Sequence, residues 1–218
     1  MKYTLLLAGS LLTIMVTSCG GKKETVETGE QQQAAQAAGE KFKVVSEEST
    51  LEWYATKITG AGHNGTFQLQ EGSFTVEEGL PKAGTFVADL NTIKVVDLTD
   101  AEMNAKLTGH LKSPDFFDVE KFPTASFEIT GVEKLGQDSA KVSGNLTIKG
   151  ITKNITFPAA ITRDGNNLKV KADFYIDRTE WDIKYNSGKF FKNLGDKLIK
   201  DEVNFKLNIT ARKEESAA

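Results

Sequence analysis

From Phe42 to Arg212 apolar side chains recur at every second position, and this spacing constrains the fold more than any other feature of the 218-residue chain. Val142, Gly144, Leu146 and Ile148 alternate with Lys141, Ser143, Asn145, Thr147 and Lys149. Leu168, Val170, Ala172, Phe174 and Ile176 oppose Lys169, Lys171, Asp173, Tyr175 and Asp177. Val203, Phe205, Leu207 and Ile209 oppose Asn204, Lys206, Asn208 and Thr210, and Ile151, Ile155, Phe157, Ala159 and Ile161 share one parity. Successive side chains of an extended strand point to opposite faces, so the pattern predicts strands with one buried and one wet face. Residues 50–57, 65–70, 72–78, 83–93 and 124–132 are further candidate strands.

Turn signals fall between the runs at Glu71-Gly72, Leu135-Gly136-Gln137-Asp138, Lys149-Gly150 and Asp164-Gly165-Asn166-Asn167. Links this short join neighbouring antiparallel strands. About eight or nine such strands fit a sandwich or a closed barrel. The long strand over 167–178 and the consecutive meander favour an all-β, up-and-down antiparallel barrel, which also removes exposed edges. A membrane-spanning barrel is the wrong reading, because the charged parity would then have to line a narrow lumen.

The rhythm breaks once. Thr99-Asp100-Ala101-Glu102 reads as a capping box with Thr99 as N-cap, and Met103, Leu107 and Leu111 follow as one apolar stripe. A helix is expected over 100–111, inside a long connection from 93 to 123, with Pro114 barring its extension. A second long connection covers 186–200. Loops of this length are where a barrel keeps a lid or mouth.

Ahead of the strands lies a segment of different character. Met1-Lys2, the apolar run from Leu5 to Val16 and Thr17-Ser18 read as a secretory signal over 1–18. The run is too short for a membrane span, which needs about 20 apolar residues. Val16-Thr17-Ser18-Cys19 resembles the bacterial lipobox, so Cys19 is the expected site of lipidation and the first mature residue. Residues 19–41 hold almost no large apolar side chain and are expected to be a flexible tether, reaching about 25 Å as coil. The domain proper is expected over 42–212, with a tail over 213–218.

Composition removes much chemistry. A net charge of −3 leaves no basic footprint for nucleic acid. A single cysteine excludes an internal disulfide framework, and two histidines leave little for a metal site, so no metal or catalytic set is expected. His63, in Gly62-His63-Asn64-Gly65, is either a head-group contact or general base, or a turn histidine that bonds locally. His110 sits at the helix end, where a cation suits the dipole. Arg178, in Asp177-Arg178-Thr179-Glu180-Trp181, is either an anion-recognising guanidinium or half of a structural Arg–carboxylate bond. Four N-x-T triplets occur, at Asn64, Asn145, Asn154 and Asn208; three lie in strands whose polar parity is naturally Asn and Thr, and in the bacterial chain that the Cys19 motif implies no glycosylation is expected.

The thirteen phenylalanines are mixed with small residues on the inward parity. Such alternation either fills a tapering barrel or lines an open apolar tunnel for a long hydrocarbon. Trp53, Phe74, Phe86, Phe127, Gly144, Leu146, Phe157, Ala172, Phe174, Ile176 and Phe205 are the candidate lumen residues, with Gly144 and Ala172 expected to face open space. Met103 and Leu107 are expected to turn toward the mouth, beside His63 and Arg178.

The run Leu111-Lys112-Ser113-Pro114-Asp115-Phe116-Phe117-Asp118-Val119-Glu120-Lys121-Phe122-Pro123-Thr124-Ala125-Ser126-Phe127 resembles the signature of the YceI-like, polyisoprenoid-binding family. His63-Asn64-Gly65-Thr66-Phe67, Gly72-Ser73-Phe74, Val142–Lys153 and Asp177-Arg178-Thr179 support it, whereas Trp181-Asp182-Ile183 departs from the glycine often found after that tryptophan. The resemblance implies a secreted, lipocalin-like barrel of about eight strands that holds an isoprenoid, such as a quinone tail or polyprenyl phosphate, without catalysis or cofactor. A lipidated Cys19 puts the expected location at the bacterial envelope, and Gly20 after it, which shows none of the inner-membrane retention signal, favours the outer membrane, facing the periplasm.

Overall fold

The computed structural model describes residues 24–215; the leader over 1–18, Cys19 and residues 216–218 of the tail lie outside the described residues. The strands are β1 (Thr28–Gly29), β2 (Glu40–Val44), β3 (Thr50–Thr56), β4 (Gly62–Glu77), β5 (Leu80–Val95), β6 (Thr124–Lys134), β7 (Ser139–Ile148), β8 (Ile151–Asp164), β9 (Asn167–Asp177) and β10 (Glu202–Lys213). One α-helix, α1 (Ala101–Lys112), lies between β5 and β6. From β3 onward each strand pairs antiparallel with the next, and β10 returns to β2 and β3. β2 and β3 both lie between β4 and β10, split by a 3₁₀ turn over Ser46–Glu48, and together make one wall position. The result is a closed eight-position barrel, as the alternation requires.

The hairpins show where local chemistry decides. Glu78-Gly79 and Lys149-Gly150 both have positive φ at both residues (53° and 76°, 50° and 71°), the two-residue turn whose twist matches paired strands. Glu71-Gly72, expected as a turn, lies inside the continuous β4, where the register with β5 slips between Leu69 and Glu71. A Cβ on Gly72 would stand 2.8 Å from Val44 Cγ2, so that glycine marks close packing and not chain reversal. The helix begins one residue later than its expected cap: Asp100, not Thr99, accepts the Met103 N–H at 2.8 Å.

The segment 24–39 corrects the expectation of a flexible tether. β8 pairs with β9 only through 159–164, and the remainder of that seam is bridged from outside the domain proper. β1 pairs with Ile155 and Asn154 of β8, while the Val26 N–H donates to Tyr175 O of β9 at 2.7 Å. Further on, the Gln32 main chain both donates to and accepts from the Asn145 side chain, at 3.0 and 2.7 Å. Ala35 N–H then reaches Ile129 O at 2.9 Å. Val26 and Ala35 pack against the core. The segment has little to bury, but it satisfies main-chain groups that the incomplete seam leaves open, and that is enough to pin it.

Asn145→Ala should release this strap. It strands a buried acceptor and donor arrangement worth about 1–3 kcal/mol, so hydrogen exchange over 24–36 should quicken roughly 10- to 100-fold with the barrel strands unaffected. Unchanged exchange would mean that the strap is held elsewhere.

Glu40, where the strap becomes β2, sits between Arg163 and Lys213. Their hydrogen bonds hold its carboxyl down at about 2 against an ordinary 4.5. A depressed folded-state value means stabilisation that is complete above about 4.5 and lost as pH falls toward about 2. The melting temperatures of the parent and Glu40→Gln should therefore differ at neutral pH and converge as pH falls through that window.

Candidate functional site: an apolar lumen under a helical lid

Side chains pack at both barrel ends. At the end of the 164–167 hairpin, Phe42, Ala140, Leu168 and Ala211 have no solvent exposure. At the other end, Leu111 and Leu107 of α1 settle on Trp53, Phe67, Leu90, Ile93, Val95 and Val119. Met103 does not join them; it is exposed, and only the later part of the apolar stripe packs on the barrel. After the helix the chain turns sharply, with Phe117 N–H donating to Leu111 O at 3.1 Å and Asp118 N–H to Ser113 O at 2.9 Å. This Pro-Asp-Phe-Phe-Asp turn swings Phe117 inward, edge-on to Phe67 at a centroid distance of 5.5 Å.

Between the two plugs lies a cavity of about 140 Å³. Phe74, Phe86, Phe127, Leu146, Phe157, Phe174 and Phe205 line it, as the parity requires, and among the described residues Ser126 is the one polar residue in its wall. Phe157 and Phe174 stack at 4.2 Å and 9° across the part of the seam where β8 and β9 are not paired. The barrel is therefore not filled. An apolar void of about 150 Å³ stays dry and takes a benzene-sized guest, so the lumen as it stands accommodates about one prenyl unit.

A second cavity of about 60 Å³ adjoins it under the lid, lined by Trp53, Ile176, Arg178, Ile183, Ile199 and others. Trp53 and Ile176, expected in the main lumen, belong here. Phe117, Ile148 and Phe205 line both voids and form the partition. Trp53 Nε1 is buried with no hydrogen-bond partner among the described residues. Phe117→Ala should merge the voids, tightening the binding of longer prenyl chains relative to short ones while costing roughly 3–5 kcal/mol of stability. Equal affinities across chain length, by titration with prenols of increasing length, would show that the partition does not limit the guest.

Other expected site residues lie elsewhere. Gly144 does not face open space: a Cβ there would stand 2.2 Å from Phe127 Cζ and 2.7 Å from Glu128 O. Ala172 is buried in the core without lining the cavity. His63 is on the rim, with Nδ1 2.8 Å from Asp97 Oδ2, and lines neither void. Burial alone would raise the Asp97 carboxyl, but the Asn64 N–H and His63 outweigh it and hold it below its ordinary value. His110 joins Asp115 at 2.9 Å and stacks edge-on with Phe116 and Tyr185.

Arg178 is no head-group contact either. Buried at 3% exposure, it donates to Ile183 O at 2.7 Å, Lys200 O at 3.1 Å, Ile199 O at 3.1 Å and Asp201 Oδ1 at 3.4 Å. It clamps both ends of the 184–200 connection to β9. Asp182, where the glycine was expected, has φ 59°, a left-handed conformation that favours glycine. Among the described residues no group of His, Cys, Asp and Glu is arranged to hold a metal.

A closed up-and-down barrel with a hydrocarbon-lined lumen defines the lipocalin-like class of binding folds. The sequence profile of the YceI-like domain matches residues 42–211, and the chain belongs to that family. A UPF0312 protein of Pseudomonas putida strain W619 is 32% identical over 136 residues, covering 62% of this chain and 68% of that protein. A UPF0312 protein of Pseudomonas paraeruginosa PA7 is 37% identical over 137 residues, with the same coverage. Among solved structures, Burkholderia cenocepacia BcnA superposes with a TM-score of 0.61 at 20% identity, over 77% of this chain and 98% of that one. A polyisoprenoid-binding domain from Saccharophagus degradans gives 0.62 at 15% identity, over 79% and 98%. At such identities these two show the fold.

Proposed function

We propose that this protein binds an isoprenoid lipid, a quinone tail or polyprenyl phosphate, non-catalytically in the barrel lumen, while Cys19 carries a lipid that holds it on the outer membrane, facing the periplasm. The observation that carries the reading is the lumen wall, in which hydrocarbon is broken only by Ser126. Each buried CH₂ contributes about 0.8 kcal/mol, so a prenyl chain binds such a wall without a polar motif. The similarity to a polyisoprenoid-binding domain supports the choice of guest. An enzyme would use His63 or the Asp177/Arg178 pair; His63 and Asp177 lie outside both voids, and Arg178, which lines the second, is held by three main-chain carbonyls and Asp201. Protein purified from its native membrane, extracted with organic solvent and analysed by mass spectrometry, should yield a prenyl lipid at near-stoichiometric amount. An extract without lipid, from protein that also fails to take up added prenol, would overturn the proposal. Labelling with a radioactive fatty acid, lost in Cys19→Ser, tests the anchor.

A further inference from the structure

The chain is acidic overall, yet residues 184–200 hold five lysines and one aspartate. Within them Gly188, Lys189, Phe190, Phe191, Lys192 and Asn193 are all exposed, the two phenyl rings at 49% each. Ile58, 56% exposed, belongs to the same tip. Its N–H donates to Leu198 O at 3.0 Å, and Leu198 Cδ1 lies 3.0 Å from where a Cβ on Gly188 would stand. Lys184 is paired with Asp182 and Lys189 with Asp177, while Arg178 holds Asp201. Lys57, Lys192, Lys197 and Lys200 form no ion pair with any described residue, and Asp196 is the carboxylate left among them. Adjacent exposed phenylalanines on a tip whose Lys57, Lys192, Lys197 and Lys200 have no ion pair among the described residues match a surface that is apolar inside and anionic outside.

The strap fixes which way this tip faces. Val26 bonds Tyr175 near the end of β9, and Asp177, two residues on, holds Lys189. Glu24, the first described residue, thus enters at the end that carries Phe190 and Phe191. From Cys19 to Glu24 the chain spans at most about 18 Å. With Cys19 lipidated, a reading on which this inference rests, that end is brought to the bilayer and the 135–138 and 164–167 hairpins face away. We infer that residues 184–200, with Ile58, form a docking surface for a bilayer carrying anionic headgroups. Ile58, Phe190 and Phe191 enter the interface, and Lys57, Lys192, Lys197 and Lys200 meet phosphates. Ile183 and Ile199 line the second cavity beneath this loop, so docking sets the lumen's nearer void against the membrane.

The test uses the full lipidated protein with Phe191→Cys, labelled with nitrobenzoxadiazole and reconstituted into vesicles of phosphatidylcholine with or without phosphatidylglycerol. Acylation consumes the Cys19 thiol, so the parent should take up no dye. Dye on the parent means that the anchor reading fails, and the surface is then tested with Cys19→Ser/Phe191→Cys added to the same vesicles. Expected is a blue-shifted emission, quenched by spin-labelled lipid, on the anionic vesicles, with no such change for Leu135→Cys at the far end. The docked-to-free ratio should fall about fivefold for each of Lys192→Gln and Lys197→Gln, and should fall in about 1 M salt, where the Debye length is about 3 Å. Equal signals at both ends, or no response to anionic vesicles, would overturn the inference. So would a blue shift that grows with protein concentration without lipid, which would assign the surface to a second copy of the chain.

Discussion

Arg178→Met should lower the melting temperature by about 10 °C. The guanidinium is buried and serves three main-chain carbonyls and Asp201 at once. Burial pulls the Arg178 pKa down from its ordinary value, opposed by the nearby Asp201 and Asp177 carboxylates. Removing one partner of a buried charge network costs about 3–5 kcal/mol, and a domain of this size loses about 2–4 °C per kcal/mol. Arg178→Lys should fare little better, because an ammonium cannot present the planar fork that reaches Ile183, Ile199 and Lys200 together. Thermal unfolding followed by circular dichroism checks this. A fall of less than about 2 °C, with lipid binding lost, would favour the anion-recognising role that the sequence left open for Arg178.

That residue shows where sequence reading stops. An Asp-Arg-Thr-Glu cluster at a strand end announces a charge-assisted contact, but not whether its partner is a ligand, a carboxylate or the main chain of a loop 21 or 22 residues away. The barrel itself was legible, since one buried and one wet face per strand leave an alternation that survives interruptions such as Lys153. The strap was not, because it is held through main-chain hydrogen bonds at Val26, Gln32 and Ala35, and these leave no mark on residue type. Gly72 misled for a related reason: a glycine in a strand allows close approach of Val44, whereas beside Glu71 it reads as a turn. Parity placed Phe74, Phe86, Phe127, Leu146, Phe157, Phe174 and Phe205 at the lumen. It could not tell an inward position that meets space from one that meets a neighbour, and Gly144, lying under Phe127, is the second kind.

The same distinction gives the second large effect. Ala88→Phe should abolish uptake of a prenyl lipid while leaving the melting temperature within about 3 °C of the parent. Ala88 is buried in the middle of β5, paired with Leu69 on one side and Ala125 on the other, and it lines the main cavity. The change adds a benzene-sized group to a void of about 140 Å³, close to the roughly 150 Å³ known to hold benzene. The ring therefore fills space and displaces the guest instead of pushing on the wall. Gly144→Leu, also small-to-large on the inward parity, should behave oppositely. Its first added carbon already collides with Phe127 and with Glu128 O, so it overpacks the wall at a cost of about 1–3 kcal/mol whether or not lipid is bound. Measured together by lipid extraction and thermal unfolding, the pair separates occlusion from strain. If Ala88→Phe destabilises as much as Gly144→Leu and the lipid content of the two is equal, the void does not hold the guest and the binding site must be sought outside the lumen.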